Sequence, residues 1–456
     1  MIRIMFIVAI ALSIMGCSGK TKEELYAEGV KQVNKANPNG AIVLLKSALE
    51  KDQNYTEARY QLARAYMAAG KYEQAEKEFQ KVLRQDPSRS DVTLELAKLY
   101  NSTKKPNMAM KVAGEYLKSH PDAPAALEIM GIASALDNKP DEAEGYLLQA
   151  LKGEPGRVSA KLELATVDME RGRAAEARRL LGEVLQAEPK NFRASYTLAA
   201  LETSQGNRDR AIGIYRQISE ADKSDSLALY KIGILYLEQG ETEKAGKIAA
   251  DLEKQFPKRA EGGRLKGLLA YSRKNFPEAI TELQNAIKIQ PSIEAYYFLG
   301  LSLYSQGELE TALSQFRTIL DHNPSFQRAR LLTGMILLKQ QRIDDSVAEL
   351  KKILEADPKN ALAHNVLGSA YMAKGMYQEG MKELDRATEL DPKLIEAHLE
   401  VFHSKIHSYI MIMKKENIPF GHFNGFKHPI TIPKSPILRG NNVFLIRMKL
   451  PVIINK

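Results

Sequence analysis

The sequence contains one cysteine, Cys17, and no tryptophan among its 456 residues. A single cysteine excludes an internal disulfide framework. Beyond residue 16, no apolar run approaches the roughly twenty residues that a membrane-spanning helix needs. The sequence has no HExxH, GxSxG, phosphate-loop or dinucleotide-binding motif, so we predict no enzyme activity, no cofactor and no metal site. These absences favour a binding or scaffolding protein.

The net charge of +9 is concentrated in one segment. Residues 401–456 hold nine of the 65 basic residues and one of the 56 acidic residues, so the remainder of the chain is nearly neutral. A basic isoelectric point that comes from a short tail does not indicate a nucleic-acid-binding surface. We therefore predict no nucleic-acid partner.

The first sixteen residues have the layout of a secretory signal. Arg3 precedes the apolar run Met5–Met15, which is interrupted only by Ser13 and ends at Gly16. The run is too short to span a membrane and is typical of a cleaved signal. The segment Ile14–Cys17 resembles a bacterial lipobox. The alternative is a plain secretion signal with an incidental cysteine.

The lipobox resemblance implies that residues 1–16 are a lipoprotein signal peptide and that Cys17 carries fatty-acyl chains such as palmitate. Each buried CH₂ of such a chain contributes about 0.8 kcal/mol, so several chains hold a protein firmly to a membrane. Ser18 follows the cysteine where an aspartate would imply inner-membrane retention. By this resemblance we expect a protein anchored in the cell envelope and facing the periplasm, in the outer membrane rather than the inner membrane.

The rest of the chain repeats with a period of 34 residues. Prolines recur at this spacing, apart from one interval of 33 and one of 68 in which Lys223 takes the place of a proline, and two series of small residues accompany them. The prolines are Pro87, Pro121, Pro155, Pro189, Pro257, Pro291, Pro324, Pro358 and Pro392. A fixed period of this length predicts an array of stacked supersecondary units.

The segment ARYQLARAYMAAGKYEQAEKEFQKVLRQDP, residues 58–87, resembles a tetratricopeptide repeat (TPR), and residues 362–392 match the same pattern. We count eleven repeats, which start near residues 22, 56, 90, 124, 158, 192, 226, 260, 293, 327 and 361. The resemblance implies an all-α fold, a right-handed superhelical solenoid with a concave groove, over residues 17–394.

Glycine and proline predict the boundaries within each repeat. Gly70, Gly240, Gly307 and Gly375 are expected to end first helices, where a left-handed backbone costs glycine little. Prolines are expected at the start of second helices, where no backbone hydrogen bond is lost; these are Pro106, Pro140 and Pro277.

Residues 395–456 depart from the pattern. A twelfth repeat begins at IEAHLEV, but Phe402 and Lys414 occupy repeat positions that hold small residues in the other repeats. The segment 401–456 contains no alanine and five prolines. We interpret residues 395–456 as a truncated repeat followed by an atypical basic tail, which is foreign or out of frame. The alternative is a short basic interaction segment.

In the TPR family, the fifth and twelfth positions of each first helix line the groove. The resemblance therefore implies that tyrosines at these positions contact a ligand, since tyrosine offers an apolar ring with a polar tip. The candidates are Tyr60, Tyr196, Tyr230, Tyr271, Tyr297 and Tyr304, and the last four are favoured because they fall in three consecutive repeats. The alternative is that these rings pack between helices and never meet a ligand.

A lipobox followed at once by repeats resembles the TPR-repeat lipoproteins of the PEP-CTERM and exosortase systems (PrsT-like). That resemblance implies an envelope-anchored scaffold that binds protein partners in exopolysaccharide production and exosortase-linked protein sorting. Two alternatives remain: a pilotin-like or outer-membrane-assembly lipoprotein, and a repeat array that binds glycan directly.

Overall fold

The structure is a computed structural model that describes residues 20–394. The leader with Cys17 and the tail 395–456 lie outside the described residues. The chain divides into two compact units, Met1–Ile214 and Tyr215–Lys456, and the division falls inside one helix, Arg208–Ala221.

Between residues 20 and 394 the chain forms twenty-two α-helices and no strand. In the first unit they are α1 (Lys22–Asn34), α2 (Pro38–Lys51), α3 (Thr56–Ala68), α4 (Tyr72–Gln85), α5 (Ser90–Ser102), α6 (Pro106–Ser119), α7 (Pro124–Leu136), α8 (Pro140–Gly153), α9 (Val158–Glu170), α10 (Ala174–Ala187), α11 (Phe192–Ser204) and the start of α12 (Arg208–Ala221). In the second unit they are α13 (Ser226–Glu238), α14 (Thr242–Gln255), α15 (Glu261–Ser272), α16 (Phe276–Ile289), α17 (Ile293–Gln306), α18 (Leu309–His322), α19 (Gln327–Lys339), α20 (Ile343–Ala356), α21 (Ala361–Ala373) and α22 (Tyr377–Leu390). In the described residues, no helix combines the length and the apolar character that crossing a membrane requires.

The helices form eleven pairs, which we number repeats 1 to 11. The odd-numbered helix is the first of each pair, and its start agrees with the period within one residue, since α15 begins at Glu261 rather than at residue 260. Within each unit, the two helices of a repeat pack against each other, and second helices pack against the first helix of the next repeat. The predicted all-α array of eleven repeats is confirmed.

Small residues allow the paired helices to approach closely. Gly300 of α17 faces Phe316 of α18, and a Cβ atom added at Gly300 would lie 2.7 Å from the Phe316 Cζ atom. On the second helices, Ala75 and Ala143 occupy the same repeat position and are fully buried. The small residues that recur in the sequence therefore lie at the interface between the two helices of a repeat.

The turn after each first helix contains one residue in the left-handed conformation. The predicted glycines adopt it, with φ of 70° at Gly70 and 84° at Gly307. The same position recurs in all eleven described repeats, and in five of them it is not glycine: Ala36, Lys104, Asn138, Lys274 and Gln341. Three second helices begin as predicted, with Pro106 and Pro140 as the first residue and Pro277 as the second.

A basic side chain at the fourth position of three first helices connects consecutive repeats. Arg330 pairs with Glu349 of its own repeat and donates to the Pro324 carbonyl oxygen at 2.6 Å, at the end of the preceding repeat. Arg59 makes the equivalent bonds to Glu78 and to the Gln53 carbonyl oxygen. In repeat 11 a histidine takes this place, and both ring nitrogens of His364 face oxygen acceptors, on Glu383 and Pro358.

Candidate functional site

The candidate tyrosines of the first unit remain partly exposed. Tyr60 on α3 is half-buried, and its ring lies 6.1 Å from the ring of Phe79. Two guanidinium groups flank the same ring, with Arg89 at 5.1 Å and Arg64 at 5.8 Å from its centroid. Tyr196 on α11 is also half-buried. These side chains combine partial exposure with a supported position.

The candidate tyrosines of the second unit are more deeply placed. Tyr230, Tyr297 and Tyr304 are buried, and Tyr271 is half-buried. Burial raises the pKa of the Tyr297 and Tyr271 phenols to about 12. These residues occupy the positions of the first helices where the groove was predicted, but their rings also belong to a hydrophobic cluster.

Ring packing accounts for the burial of Tyr297. Its ring meets those of Phe298, Phe316 and Phe326 edge-on, with centroids 5.6 to 6.0 Å apart. The Tyr271 ring lies edge-on to Phe298 at 5.2 Å. Packing between helices was the alternative that the sequence left open, and this geometry favours it for Tyr297. A ligand contact by any of the six tyrosines stays a prediction.

A charged cluster in the second unit was not foreseen from the sequence. Tyr230 of α13 donates its hydroxyl hydrogen to the carboxylate of Glu294 on α17. Arg264 is on α15, in the repeat between these two helices. Its guanidinium group lies over the Tyr230 ring, 4.6 Å from the centroid, and its Nε atom is 3.9 Å from Glu294. Burial, followed by the nearby Glu294 carboxylate, raises the pKa of Tyr230 well above its ordinary value.

Lys231 is next to this cluster on α13. Its side chain is half-buried, and it makes no hydrogen bond and no ion pair with any residue of the described range 20–394. Burial lowers the pKa of Lys231; Glu294 and Glu238 act in the opposite direction and Arg264 adds to the lowering. Counted from the repeat starts of the 34-residue period, Lys231 is the one basic residue at the sixth position, where repeats 2, 3, 5 and 6 also carry polar residues.

Metal binding has no candidate in this part of the molecule. Within residues 20–394, no group of three or more His, Cys, Asp and Glu side chains could hold a metal ion. The five histidines of residues 395–456 lie outside the described residues.

A tetratricopeptide repeat family profile matches residues 33–90, 68–131, 135–201, 168–228, 202–269 and 337–399. A second tetratricopeptide repeat profile matches residues 297–361. These matches cover well over half of the sequence, and the chain belongs to the tetratricopeptide repeat family. Its repeats are those of a protein-interaction scaffold.

Three similar solved structures illustrate the fold. Yeast Tom70 is 15% identical over 87% of this chain and 99% of that chain, with a TM-score of 0.46. The Cut9 and Hcn1 assembly of APC/C is 12% identical over 86% and 98%, with a TM-score of 0.42. YrrB, described as a TPR protein with an unusual peptide-binding site, is 21% identical over 42% and 97%, with a TM-score of 0.37. At these values they carry no argument about what this chain binds. A comparison with curated proteins gave no match.

Proposed function

We propose that this protein is an envelope-anchored scaffold whose first helices bind protein partners, in exopolysaccharide production and exosortase-linked protein sorting. The observation that carries the binding role is the half-buried Tyr60 on a first helix, whose ring lies within reach of the Arg64 and Arg89 guanidinium groups. Aromatic rings with a fixed position and an accessible edge are the side chains that anchor protein interfaces.

The first unit is the better candidate for the initial contact. Tyr60 and Tyr196 keep part of their surface exposed, whereas Tyr230, Tyr297 and Tyr304 are buried. A partner can contact a partly exposed side chain without repacking the helices. We therefore propose Tyr60 as the first contact with a partner.

The anchor in this proposal is Cys17, supported by its place directly after an apolar run and Gly16. Acylation there places the repeats on the periplasmic side of a membrane, with the outer membrane favoured by Ser18. Cys17→Ser should abolish labelling by an alkyne fatty acid and release the protein from membranes. Continued labelling would remove the anchor from the proposal.

A photo-crosslinking amino acid at position 60 in living cells tests the binding role. The matched control is position 72, where Tyr72 on the second helix α4 is 41% exposed. Mass spectrometry should identify discrete proteins of polysaccharide export or protein sorting at position 60 and none at position 72. Adducts to glycan alone, or the same adducts at both positions, would overturn the proposal.

A further inference from the structure

Val43 on α2 is the most exposed large apolar side chain among residues 20–394, at 64% exposure. It is the sixth residue of a second helix, a position at which the other ten repeats carry lysine, arginine, serine, threonine, glycine or alanine. Repeat 1 therefore differs from the rest of the described array in exposing a large apolar residue there. Since single apolar residues are common on protein surfaces, the neighbours of Val43 decide what it can bind.

The surface around Val43 is polar and mainly basic. Asn39 lies one turn before Val43 on α2 and Lys46 lies one turn after it, so the three side chains share a face of the helix, and all three are exposed. Two further exposed lysines flank the helix, Lys35 in the turn before it and Lys51 at its last residue. In the part of the chain that the structure describes, the side chains of these three lysines form no hydrogen bond and no ion pair.

The acids of repeat 1 leave most of this positive charge free. Glu28 pairs with Lys20, and Asp52 at the end of α2 pairs with Lys22. Glu50 is the one acid within α2, and it is exposed on the same face as Val43 without a pair among residues 20–394. The face therefore presents three unpaired lysines and one unpaired acid beside an apolar side chain, which suits an anionic surface with an apolar interior.

Repeat 1 is also the repeat that an acyl anchor at Cys17 brings to a membrane. The chain from Cys17 to Lys22, where α1 begins, spans at most about 17 Å when fully extended. The Lys22 ammonium group is 2.5 Å from the Asp52 carboxylate at the end of α2. Val43 lies about 14 Å before Asp52 along that helix. The anchor and Val43 can therefore meet the same bilayer surface.

We propose that the exposed face of α2 lies on the membrane, with Val43 inserted among the lipid headgroups and with Lys35, Lys46 and Lys51 bound to anionic phospholipids. The inference rests on the acylated anchor of the proposed function and identifies a second contact with the same membrane. A basic patch beside an acyl anchor strengthens membrane binding, and each lysine near an anionic surface contributes about fivefold in affinity. The contact also fixes how repeat 1 is oriented on the membrane, which a lipid chain alone does not do.

Fluorescence quenching by brominated lipids tests the contact in the full chain. The acylated protein is purified from membranes and reconstituted in vesicles of equal parts phosphatidylglycerol and phosphatidylcholine with brominated acyl chains. Asn39→Cys carries a polarity-sensitive dye one turn from Val43, and the dye attaches only there because acylation occupies the sulfur of Cys17, the one native cysteine. Asn107→Cys is the matched control, since Asn107 is exposed and is likewise the second residue of a second helix that begins with proline, in repeat 3.

The dye at position 39 should be quenched, and the dye at position 107 should not. Val43→Ser should remove most of the quenching at position 39, because the apolar contact is lost. The thermal midpoint of this variant should not change, since Val43 is exposed and makes no core contact. Lys35→Gln combined with Lys46→Gln should also weaken the quenching, and vesicles of phosphatidylcholine alone should have the same effect on the unsubstituted lysines.

Vesicle flotation of the same samples separates this contact from the anchor. A chain that floats without quenching at position 39, with equal quenching at positions 39 and 107, or with unchanged quenching in Val43→Ser would overturn the contact and leave the anchored scaffold standing. Quenching that does not depend on phosphatidylglycerol would overturn the binding of anionic lipid. A chain that does not float would contradict the anchor, and the contact with it.

Discussion

The Tyr230 hydroxyl group donates a hydrogen bond to the Glu294 carboxylate, and the two residues are separated by a complete repeat. Tyr230 belongs to repeat 7 and Glu294 to repeat 9, while Arg264 of repeat 8 lies over the Tyr230 ring. In repeat arrays, each repeat ordinarily contacts only its neighbours, and stability is a sum of such adjacent terms. This hydrogen bond adds a stabilising contribution between two repeats that are not adjacent.

Tyr230→Phe should loosen α13 and α17 together. The substitution keeps the ring under Arg264 and removes only the hydroxyl group, at a cost of about 1.5–3 kcal/mol for a bond to a charged acceptor. Amide hydrogen exchange of the full chain should rise in both helices. Tyr236→Phe is the control, since the Tyr236 hydroxyl has only a 3.4 Å contact with Arg216. Faster exchange in α13 alone would contradict the coupling.

A buried carboxylate in repeat 6 makes the first unit sensitive to the loss of one arginine. The Glu202 side chain is 3% exposed and accepts hydrogen bonds from Arg178 Nε at 2.6 Å and Asn207 Nδ2 at 2.7 Å. Arg178→Met leaves that charge buried and should destabilise the unit by about 3 kcal/mol. Glu202→Gln should cost less, because Arg178 and Arg210 both reach solvent. Urea unfolding that ranks the two variants in the opposite order would refute this.

The ion pair of Arg178 and Glu202 also predicts how the stability of the first unit depends on pH. The hydrogen bond from Arg178 holds the pKa of Glu202 below its ordinary value of 4.5. A lowered folded-state pKa means that the contribution is complete above about pH 4.5 and is lost as the pH falls through the folded-state value. Urea midpoints measured from pH 7 to pH 3 should therefore fall more for the wild type than for Glu202→Gln. Parallel curves would contradict the assignment.

The left-handed turn position predicts a stabilising substitution. Lys274 has a φ of 60°, a conformation that costs a residue with a side chain about 1 kcal/mol and costs glycine little. Lys274→Gly should raise stability by about 0.5–1 kcal/mol, measured by urea unfolding. The reverse change, Gly307→Ala at a φ of 84°, should destabilise by a similar amount. A loss of stability in Lys274→Gly would show that its side chain has another role.

Repeat 11 should become more stable when His364 is replaced by the arginine that repeats 2 and 10 carry at this position. A guanidinium keeps its charge and all its donors, whereas a neutral imidazole donates one hydrogen bond only. His364→Arg should therefore satisfy both the Glu383 carboxylate and the Pro358 carbonyl oxygen, as Arg330 satisfies Glu349 and Pro324. Slower amide exchange in α21 and α22 is expected. Unchanged or faster exchange would mean that the histidine geometry is already the better one.

The period predicted the helices, whereas the candidate site stays a prediction. A helix boundary depends on local residues such as Gly307 and Pro140, which act through backbone conformation, so one sequence suffices to place them. The burial of Tyr297 depends on Phe298 of its own helix, on Phe316 of α18 and on Phe326, which directly precedes α19. Position within a repeat therefore gave the helix face of Tyr297 but not its burial.

The most direct measurement of the central claim is the affinity of a partner captured at position 60 for three purified chains: wild type, Tyr60→Ala and Tyr72→Ala. Isothermal titration should show at least about a tenfold loss for Tyr60→Ala, the size expected for an aromatic anchor. Tyr72→Ala should bind as the wild type does, because Tyr72 is on a second helix. Equal affinities for all three chains would contradict binding through the first helices.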